Sequence, residues 1–455
     1  MNPELLNKYN VSVPRYTSYP PANYFSESFA GKEYEEALIQ SNETQPQHIS
    51  FYLHIPFCRR LCHYCGCNAY PMRKAEEVER YVSALHTEID LVKKRLDSRR
   101  KVAQIHYGGG TPTALPPRYL KELNEHLLDG FECIERPEIA IECHPGYPDE
   151  TYWEALTESG FNRFSIGIQD FNEEVLAVSN RKKSILPAAR IIEILRRKGA
   201  KVNLDFIYGL PRQTVESFSE TIRQAIDLSP DRVVTFSYAH VPWVNKRQLI
   251  LEKAGLPVSA EKSRMYDTAR NLFLAAGYEA IGLDHFVKKK DELFRALNQG
   301  QLHRNFQGYC TRRTTGQVYA FGVTGISQLS RVYSQNVKDI DQYIQSVEEK
   351  QFPVIKGYRL NRQEQICREV IETLMCNYAI DWKQLSDELS LSVEEIKGAT
   401  SYREEKLKEL EDDGLIVCRE ESLEVTTAGR LFVRNIAASL DPLMLRTDKL
   451  FSKPV

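Results

Sequence analysis

The sequence predicts an α/β fold: a partial (β/α)6 barrel of parallel strands with an N-terminal arm and a mainly helical C-terminal domain carrying a short hairpin. Three observations predict it. Short runs with apolar residues at every second position alternate with longer runs of period 3.6, giving six strand–helix units in series from residue 49, the sixth strand ending near 238 and its helix following at 259–276. Serial alternation of this kind specifies a parallel sheet with its helices outside. From about Asn361 the pattern turns to helices, interrupted by one hairpin-sized pair of strands.

In chain order, residues 1–48 form the arm, with irregular patterning, a Pro/Tyr/Ser-rich piece over Val13–Pro20 and one short helix near Lys32–Ser41. Ile49, Phe51, Leu53 and Ile55 alternate as a strand should. Val78, Tyr81, Val82, Leu85, Ile89 and Val92 fall on one face of a helix. Further strands are predicted at Val102–Tyr107, Glu138–Cys143, Arg163–Ile168, Val202–Tyr208 and Val233–Tyr238, with helices near 118–129, 150–159, 186–198 and 214–227. The units differ in sequence, so there is no internal repeat. Residues 259–276 read as a helix, Tyr278–Gly282 as one more strand, and 283–335 as loop-rich. These patterns divide the chain into the arm, a catalytic domain over 49–355 with extensions, and a C-terminal domain over 356–455. In the last, Leu415–Cys418 and Leu423–Thr426 make the hairpin and Thr427–Ala437 a helix, an arrangement similar to a winged helix.

Composition limits the function classes. Of 455 residues, 42% are hydrophobic and 27% charged, ordinary for a globular protein and enough to bury a large core. No run reaches the ~18 apolar residues of a membrane span, and Met1-Asn2-Pro3-Glu4 is no apolar signal region. A cytoplasmic protein with no membrane partner is therefore expected. A formal net charge of −2 gives no electrostatic reason for a nucleic-acid partner. The C-terminal module accordingly reads as a structural or substrate-covering appendage ahead of a DNA reader.

Four of the ten cysteines lie in one short loop after the first strand: Cys58, Cys62, Cys65 and Cys67, spaced C-x3-C-x2-C-x-C. A tight cluster in a long chain points to metal, whereas the scattered six read as small buried residues. Thiolates suit iron–sulfur clusters, zinc or Cu(I). Structural zinc usually takes paired cysteines with a longer spacer. Three cysteines on a cubane leave one iron open, and cluster potentials reach about −700 mV. In parallel sheets ligands gather at the carboxyl ends of the strands, which is where this loop stands.

The run His54-Ile55-Pro56-Phe57-Cys58-Arg59-Arg60-Leu61-Cys62-His63-Tyr64-Cys65-Gly66-Cys67 resembles the signature of the radical S-adenosylmethionine (SAM) superfamily. The added Gly66-Cys67 and the phrase Tyr52–Cys58 resemble the oxygen-independent coproporphyrinogen III oxidase family. So do Val13–Pro20, Gly108–Thr113, Asn203–Pro211 and His303–Tyr309, a likeness over nearly the whole chain.

The resemblance implies a [4Fe–4S] cluster on Cys58, Cys62 and Cys65, and two SAM molecules per product. It implies SAM contacts from Tyr52, Tyr64, Gly109, Gly110, Thr111, Glu142, Gln169, Arg181, Asp205, Ala239 and Ile326. Gly109 is implied for one SAM; Gly110, Thr111, Gln169 and Arg181 for the second. On the residues alone, Tyr52 and His54 also read as core side chains, Gly108–Thr113 as a plain turn, Glu142 as a surface acid and Cys67 as a free thiol. Asp205 is an acid in an apolar strand, which must be paired or used. Cys67, Tyr52, His54, Phe306 and Gln307 are the candidates nearest the chemistry. Arg15 and Arg304 are candidate clamps for the propionates of coproporphyrinogen III, arginine suiting paired carboxylate contacts.

The implied reaction converts two propionates to vinyl groups, giving protoporphyrinogen IX. It needs an electron donor such as flavodoxin or ferredoxin; the final acceptor is not visible in the sequence, and a monomer is expected. The sequence departs from the family's usual pattern at His144, where an acid or amide is common, and over Cys310-Thr311-Arg312-Arg313. Three rivals stand beside this reading: a haem-binding chaperone, which would lack Cys67, an enzyme that methylates and opens haem, and a DNA-binding regulator.

Overall fold

The computed structural model describes residues 3–312 and 315–453. The chain gathers into two compact units that do not follow sequence order: Phe25–Pro257 with Arg312–Arg359, and the N-terminal segment through Tyr24 with Val258–Thr311 and the chain from Leu360 onward.

The first unit is the predicted α/β body. Strands β1 (Ile49–Ile55), β2 (Val102–Gly109), β3 (Cys133–Cys143), β4 (Arg163–Gln169), β5 (Lys201–Tyr208) and β6 (Arg232–Ser237) pair in that order, all parallel. On the other side of β1 lies β7 (Gln317–Phe321), also parallel, followed by antiparallel β8 (Ile326–Gln328), β9 (Val332–Asn336) and β10 (Val354–Arg359). Helices connect the parallel strands, the longest being Ala75–Lys93 after β1. Alternation sorts the side chains. Ile49, Phe51, Leu53 and Ile55 are buried, and the intervening Ser50, Tyr52 and His54 share the opposite face. On that face at the amino end, the Gln104 amide donates to Glu138 at 2.8 Å, and Arg163 donates to both Glu138 and, at 3.1 Å, Asn203. Burial would raise the Glu138 carboxyl, but the Arg163 and Arg232 cations and the Gln104 bond outweigh it and hold it at about 2. The sheet thus has an apolar outer face and a polar inner face.

The loop-rich reading of 283–335 is corrected. The segment carries strands His285–Lys288, Leu302–Asn305, Gly308–Thr311, β7, β8 and β9. Each is only three to five residues long, too short for a period to register over polar residues. Of the departure at Cys310–Arg313, Arg313 lies outside the described residues.

In the second unit, helix Arg362–Asn377 packs with a three-stranded antiparallel sheet of Ala379–Asp381, Ser422–Val425 and Ile416–Cys418 around Trp382, Leu407 and Ile436. The predicted helix at Thr427–Ala437 is a 3-10 turn at Gly429–Phe432 leading into Val433–Ser439. The N-terminal segment is fastened to this core. Tyr16 and Tyr19 donate to the two oxygens of buried Asp441 at 2.9 and 3.1 Å, and Arg434 donates to the carbonyls of Val13 and Pro14. The arm read as 1–48 therefore divides: its helix Gly31–Gln40 belongs to the α/β unit and the part before Phe25 to the other.

Candidate active site

The cysteine loop leaves the carboxyl end of β1. Phe57–Cys58 pairs briefly with Tyr70–Pro71, which closes the loop at its base. The rest is pinned from a distance. The Asn180 amide donates to Leu61 O at 2.9 Å and His63 N to Ser179 O at 3.0 Å. Asn245 donates to Cys65 O at 2.7 Å, and Gln248 to Tyr64 O at 3.0 Å. Cys58 and Cys62 are buried, Cys65 is partly so and Cys67 is exposed.

Charge and donors surround the first three sulfurs. Cys58 Sγ lies 3.2 Å from Thr111 Oγ1, and burial pushes its thiol up to about 11. The Arg181 guanidinium donates to Cys62 Sγ at 3.6 Å, to Tyr64 Oη at 2.9 Å and to Gly167 O. The Cys65 thiol is pulled below its ordinary value, chiefly by hydrogen bonding from Cys67 and further by the Arg247 and Arg181 cations. At Cys65 this setting favours the thiolate, the form that binds metal.

Gly108, Gly109 and Gly110 end β2 against this loop, and none has room for a side chain. A Cβ on Gly110 would stand 2.5 Å from Pro56 O and 3.1 Å from Cys58 Sγ. On Gly109, at φ +118°, it would meet Ile55 O at 2.8 Å, and on Gly108 it would meet Glu142 Oε1 at 2.9 Å and Tyr52 Oη at 3.0 Å. Tyr52 and Glu142 therefore converge over the glycine edge. The Tyr52 hydroxyl also lies 3.3 Å from His54 Nδ1, whose Nε2 reaches Asn68 O at 2.9 Å. Burial keeps the Tyr52 phenol protonated and the His54 ring neutral.

Further along the sheet, Ser165 donates to Asp205 at 2.8 Å. Gln169 ends β4 in the left-handed region, φ +72°, with its Oε1 buried and without a hydrogen-bond partner. An orphaned acceptor on a strained residue is costly in a finished core and fits a ligand donor. Ala239 O accepts from Gln248 at 3.2 Å, and Ile326 opens β8. His144, at the departure from the family pattern, accepts from Gly146 N at 3.0 Å; burial and the Arg181 cation hold it neutral. Next to it, Tyr147 lies close enough to Arg60, Arg59, Cys62 and Cys58 for their charges to act on its phenol.

The residues present fit an iron–sulfur cluster with an amino-acid-bearing ligand: soft thiols in one loop, a backbone edge that admits close approach, and polar groups aimed over it. Among the described residues no set of three or more His, Cys, Asp or Glu side chains converges as a single ion requires, so the fit rests on this donor chemistry.

Phe306, Gln307, Arg15 and Arg304 belong to the second unit. Arg304 is buried, its guanidinium 4.9 Å from the Tyr309 ring centroid, and its Nε has no partner. Asp284 bonds His285 at 2.7 Å and lies 3.9 Å from Arg15; its carboxyl stays ionised because His285 and the Arg304 and Arg15 cations outweigh burial. Gln307, beside Phe306 at the hairpin turn, has a buried Oε1 without a partner.

Sequence reasoning missed His106 and the Asn245–Gln248 pair. His106 stacks beside Tyr52, ring centroids 6.0 Å apart, and its Nε2 bonds Glu142 at 3.0 Å. Its signal was an ionisable residue in the middle of β2, at the register position opposite Tyr52. Asn245 and Gln248 offered none, since they act from about 180 residues away in sequence.

A three-thiol loop above the glycine-edged carboxyl end of a parallel α/β sheet defines a radical SAM protein. The Radical SAM superfamily model matches residues 52–225, and the HemN C-terminal domain model matches 360–432. The chain is 38% identical to the oxygen-independent coproporphyrinogen III oxidase of Synechocystis sp., covering 99% of this chain and 97% of that one. It is equally identical to the Escherichia coli protein of that name, covering 98% and 96%. The solved structure of coproporphyrinogen III oxidase (HemN) from Escherichia coli, a radical SAM enzyme, superposes with a TM-score of 0.87 at 36% identity, covering 96% of this chain and 98% of that one. The chain belongs to the oxygen-independent coproporphyrinogen III oxidase family.

Proposed function

We propose that the chain decarboxylates two propionates of coproporphyrinogen III oxidatively and without oxygen, giving protoporphyrinogen IX for haem synthesis. The observation that carries this reading is the convergence of Tyr52 and Glu142 over a glycine edge that abuts Cys58. A [4Fe–4S] cluster on Cys58, Cys62 and Cys65 with SAM at its open iron supplies, when bound, the 5′-deoxyadenosyl radical that takes hydrogen from the propionate β-carbon.

The chain's residues bind and orient. Glu142 and the Tyr52 hydroxyl receive the SAM ammonium, His54 and His106 hold those two groups in place, and the Gly109 backbone lies along the same ligand. The Tyr64 ring offers an adenine a flat face, supported by its bond to Arg181. Gly110, Thr111, Gln169 and Arg181 serve a second SAM, Asp205 also binds SAM, and Ala239 and Ile326 are apolar or backbone contacts. Two SAM molecules serve the two propionates. Cys67, exposed and off the ligand trio, serves the substrate; by resemblance Phe306 and Gln307 are substrate-side residues, and Arg15 and Arg304 take propionates. Each decarboxylation also releases one electron to an acceptor. We further propose a cytoplasmic monomer supplied by a flavodoxin or ferredoxin; no helix among the described residues is long and apolar enough to cross a membrane.

Anoxic reconstitution with iron and sulfide, followed by assay of SAM cleavage and CO2 release from coproporphyrinogen III, tests the reading. Replacing Cys58, Cys62 and Cys65 with serine abolishes both. Full turnover by that triple variant, or stoichiometric haem binding by the native chain with no decarboxylation, overturns it.

A further inference from the structure

The proposed reaction needs one electron from outside for each radical made, and the surface beside the cysteine loop is cationic. Arg59 and Arg60, inside the loop, are both exposed. The Arg59 guanidinium lies 5.2 Å from the Tyr147 ring centroid, and the ammonium of exposed Lys182 lies 4.6 Å from the same ring. The turn carrying Tyr147 is packed on the segment carrying Lys182. A Cβ on Gly146 would stand 3.0 Å from the Lys182 and Lys183 carbonyls, and Ile185 N donates to Pro145 O at 3.2 Å. Two segments distant in sequence thus present cations to a ring on a third: Arg59 and Lys182 lie against Tyr147, and Arg60, Cys58 and Cys62 lie close enough for their charges to act on its phenol.

These cations are not committed elsewhere. Lys183 pairs with Glu173 at 2.8 Å, but Arg59, Arg60 and Lys182 make no ion pair among the described residues. An unpaired cationic rim beside a redox centre steers anionic partners to it. All three side chains are exposed, which suits the rim of a protein contact better than the buried donor set a small anion needs. Electron-transfer encounters are small and weak, so a few charges suffice.

We propose that Arg59, Arg60, Lys182 and Tyr147 form the docking surface for an acidic one-electron carrier protein. In each encounter the reduced carrier loses one electron and the cluster gains it; no bond forms or breaks. This rests on the proposed function, which supplies the need for the electron.

The test uses the reconstituted enzyme with a flavodoxin as probe. Its Kd in the oxidised form is measured by fluorescence titration, and its KM in the reduced form by SAM cleavage; dithionite, a small reductant, gives the reference rate. At low ionic strength the Arg60→Glu, Lys182→Glu double variant raises Kd and KM about tenfold. The difference shrinks as salt rises, while iron content and dithionite-driven cleavage stay unchanged. Unchanged Kd and KM with iron intact overturn the proposal. Should Arg60→Glu lower the iron content, Lys182→Glu alone decides: it lies outside the loop, and a Kd equal to that of the native chain overturns the proposal. Absence of decarboxylation with dithionite would strike the proposed function instead, and leave the Kd comparison standing.

Discussion

One methyl group at Gly110 should displace the metal site. An added Cβ there lies 2.5 Å from Pro56 O, 2.7 Å from Pro56 C and 3.1 Å from Cys58 Sγ. Ordinary contacts of this kind sit at about 3.5 Å, so the Pro56 carbonyl must move by about 1 Å and the sulfur by about 0.4 Å. The obstacle is main chain, which cannot rotate away as a side-chain end can. Gly110 N also donates to Ile55 O at 2.8 Å, so the strand end is tied to the segment it would have to leave. Overpacking of this size costs about 1–3 kcal/mol, and a 1 Å shift of a reacting group costs about a hundredfold in rate. Gly110→Ala is therefore expected to lose most of its iron on anoxic reconstitution and to cleave SAM about a hundredfold more slowly. Iron per chain and 5′-deoxyadenosine release measure the two. Gly108→Ala is the contrast, because its Cβ would meet only the ends of Glu142 and Tyr52. It should keep its iron and raise KM for SAM about tenfold, the loss of one charge-assisted bond. A Gly110→Ala protein with full iron and native turnover refutes the assignment of this edge to the cluster.

Two more predictions concern single residues. Arg181→Lys removes the fork that reaches Cys62, Tyr64 and Gly167, which one ammonium cannot span; equilibrium binding should show SAM affinity about ten- to a hundredfold weaker, with iron retained, and an unchanged Kd would leave Arg181 a scaffold residue. Buried Glu88 accepts from Gly322 N at 2.8 Å, Tyr343 Oη at 2.6 Å and Asn336 Nδ2 at 2.7 Å, yet burial raises its carboxyl to about 7. Its folded value lies above its unfolded one, so its contribution is full below about pH 4.5 and is lost as pH rises through 7, at most about 3 kcal/mol. Thermal unfolding from pH 5 to 8 should show that decline in the native chain and a flatter profile in Glu88→Gln; parallel profiles would show that Glu88 does not titrate there.

Local pattern determined much of this protein. Period-two alternation in Ile49–Ile55 already puts Tyr52 and His54 on one face, because a strand's geometry does so whatever it packs against. The C-x3-C-x2-C spacing names the metal chemistry, because soft ligands crowded in one loop have few other uses. Tertiary structure decided what depends on distant segments. Gln317–Phe321 gains its pairing with β1 from across the fold, while the other short strands of 283–335 also pair with near neighbours and read as loop because three to five residues show no period. His106 becomes a partner of Glu142 only when β2 and β3 align, and Lys182 joins Arg59 only because the Gly146 turn rests on it. Residues 3–24 leave the arm for the C-terminal core because Asp441, buried and otherwise costly, needs the Tyr16 and Tyr19 hydroxyls. Side-chain chemistry is written residue by residue, but which groups satisfy one another's hydrogen bonds and charges is settled only when the chain is closed upon itself.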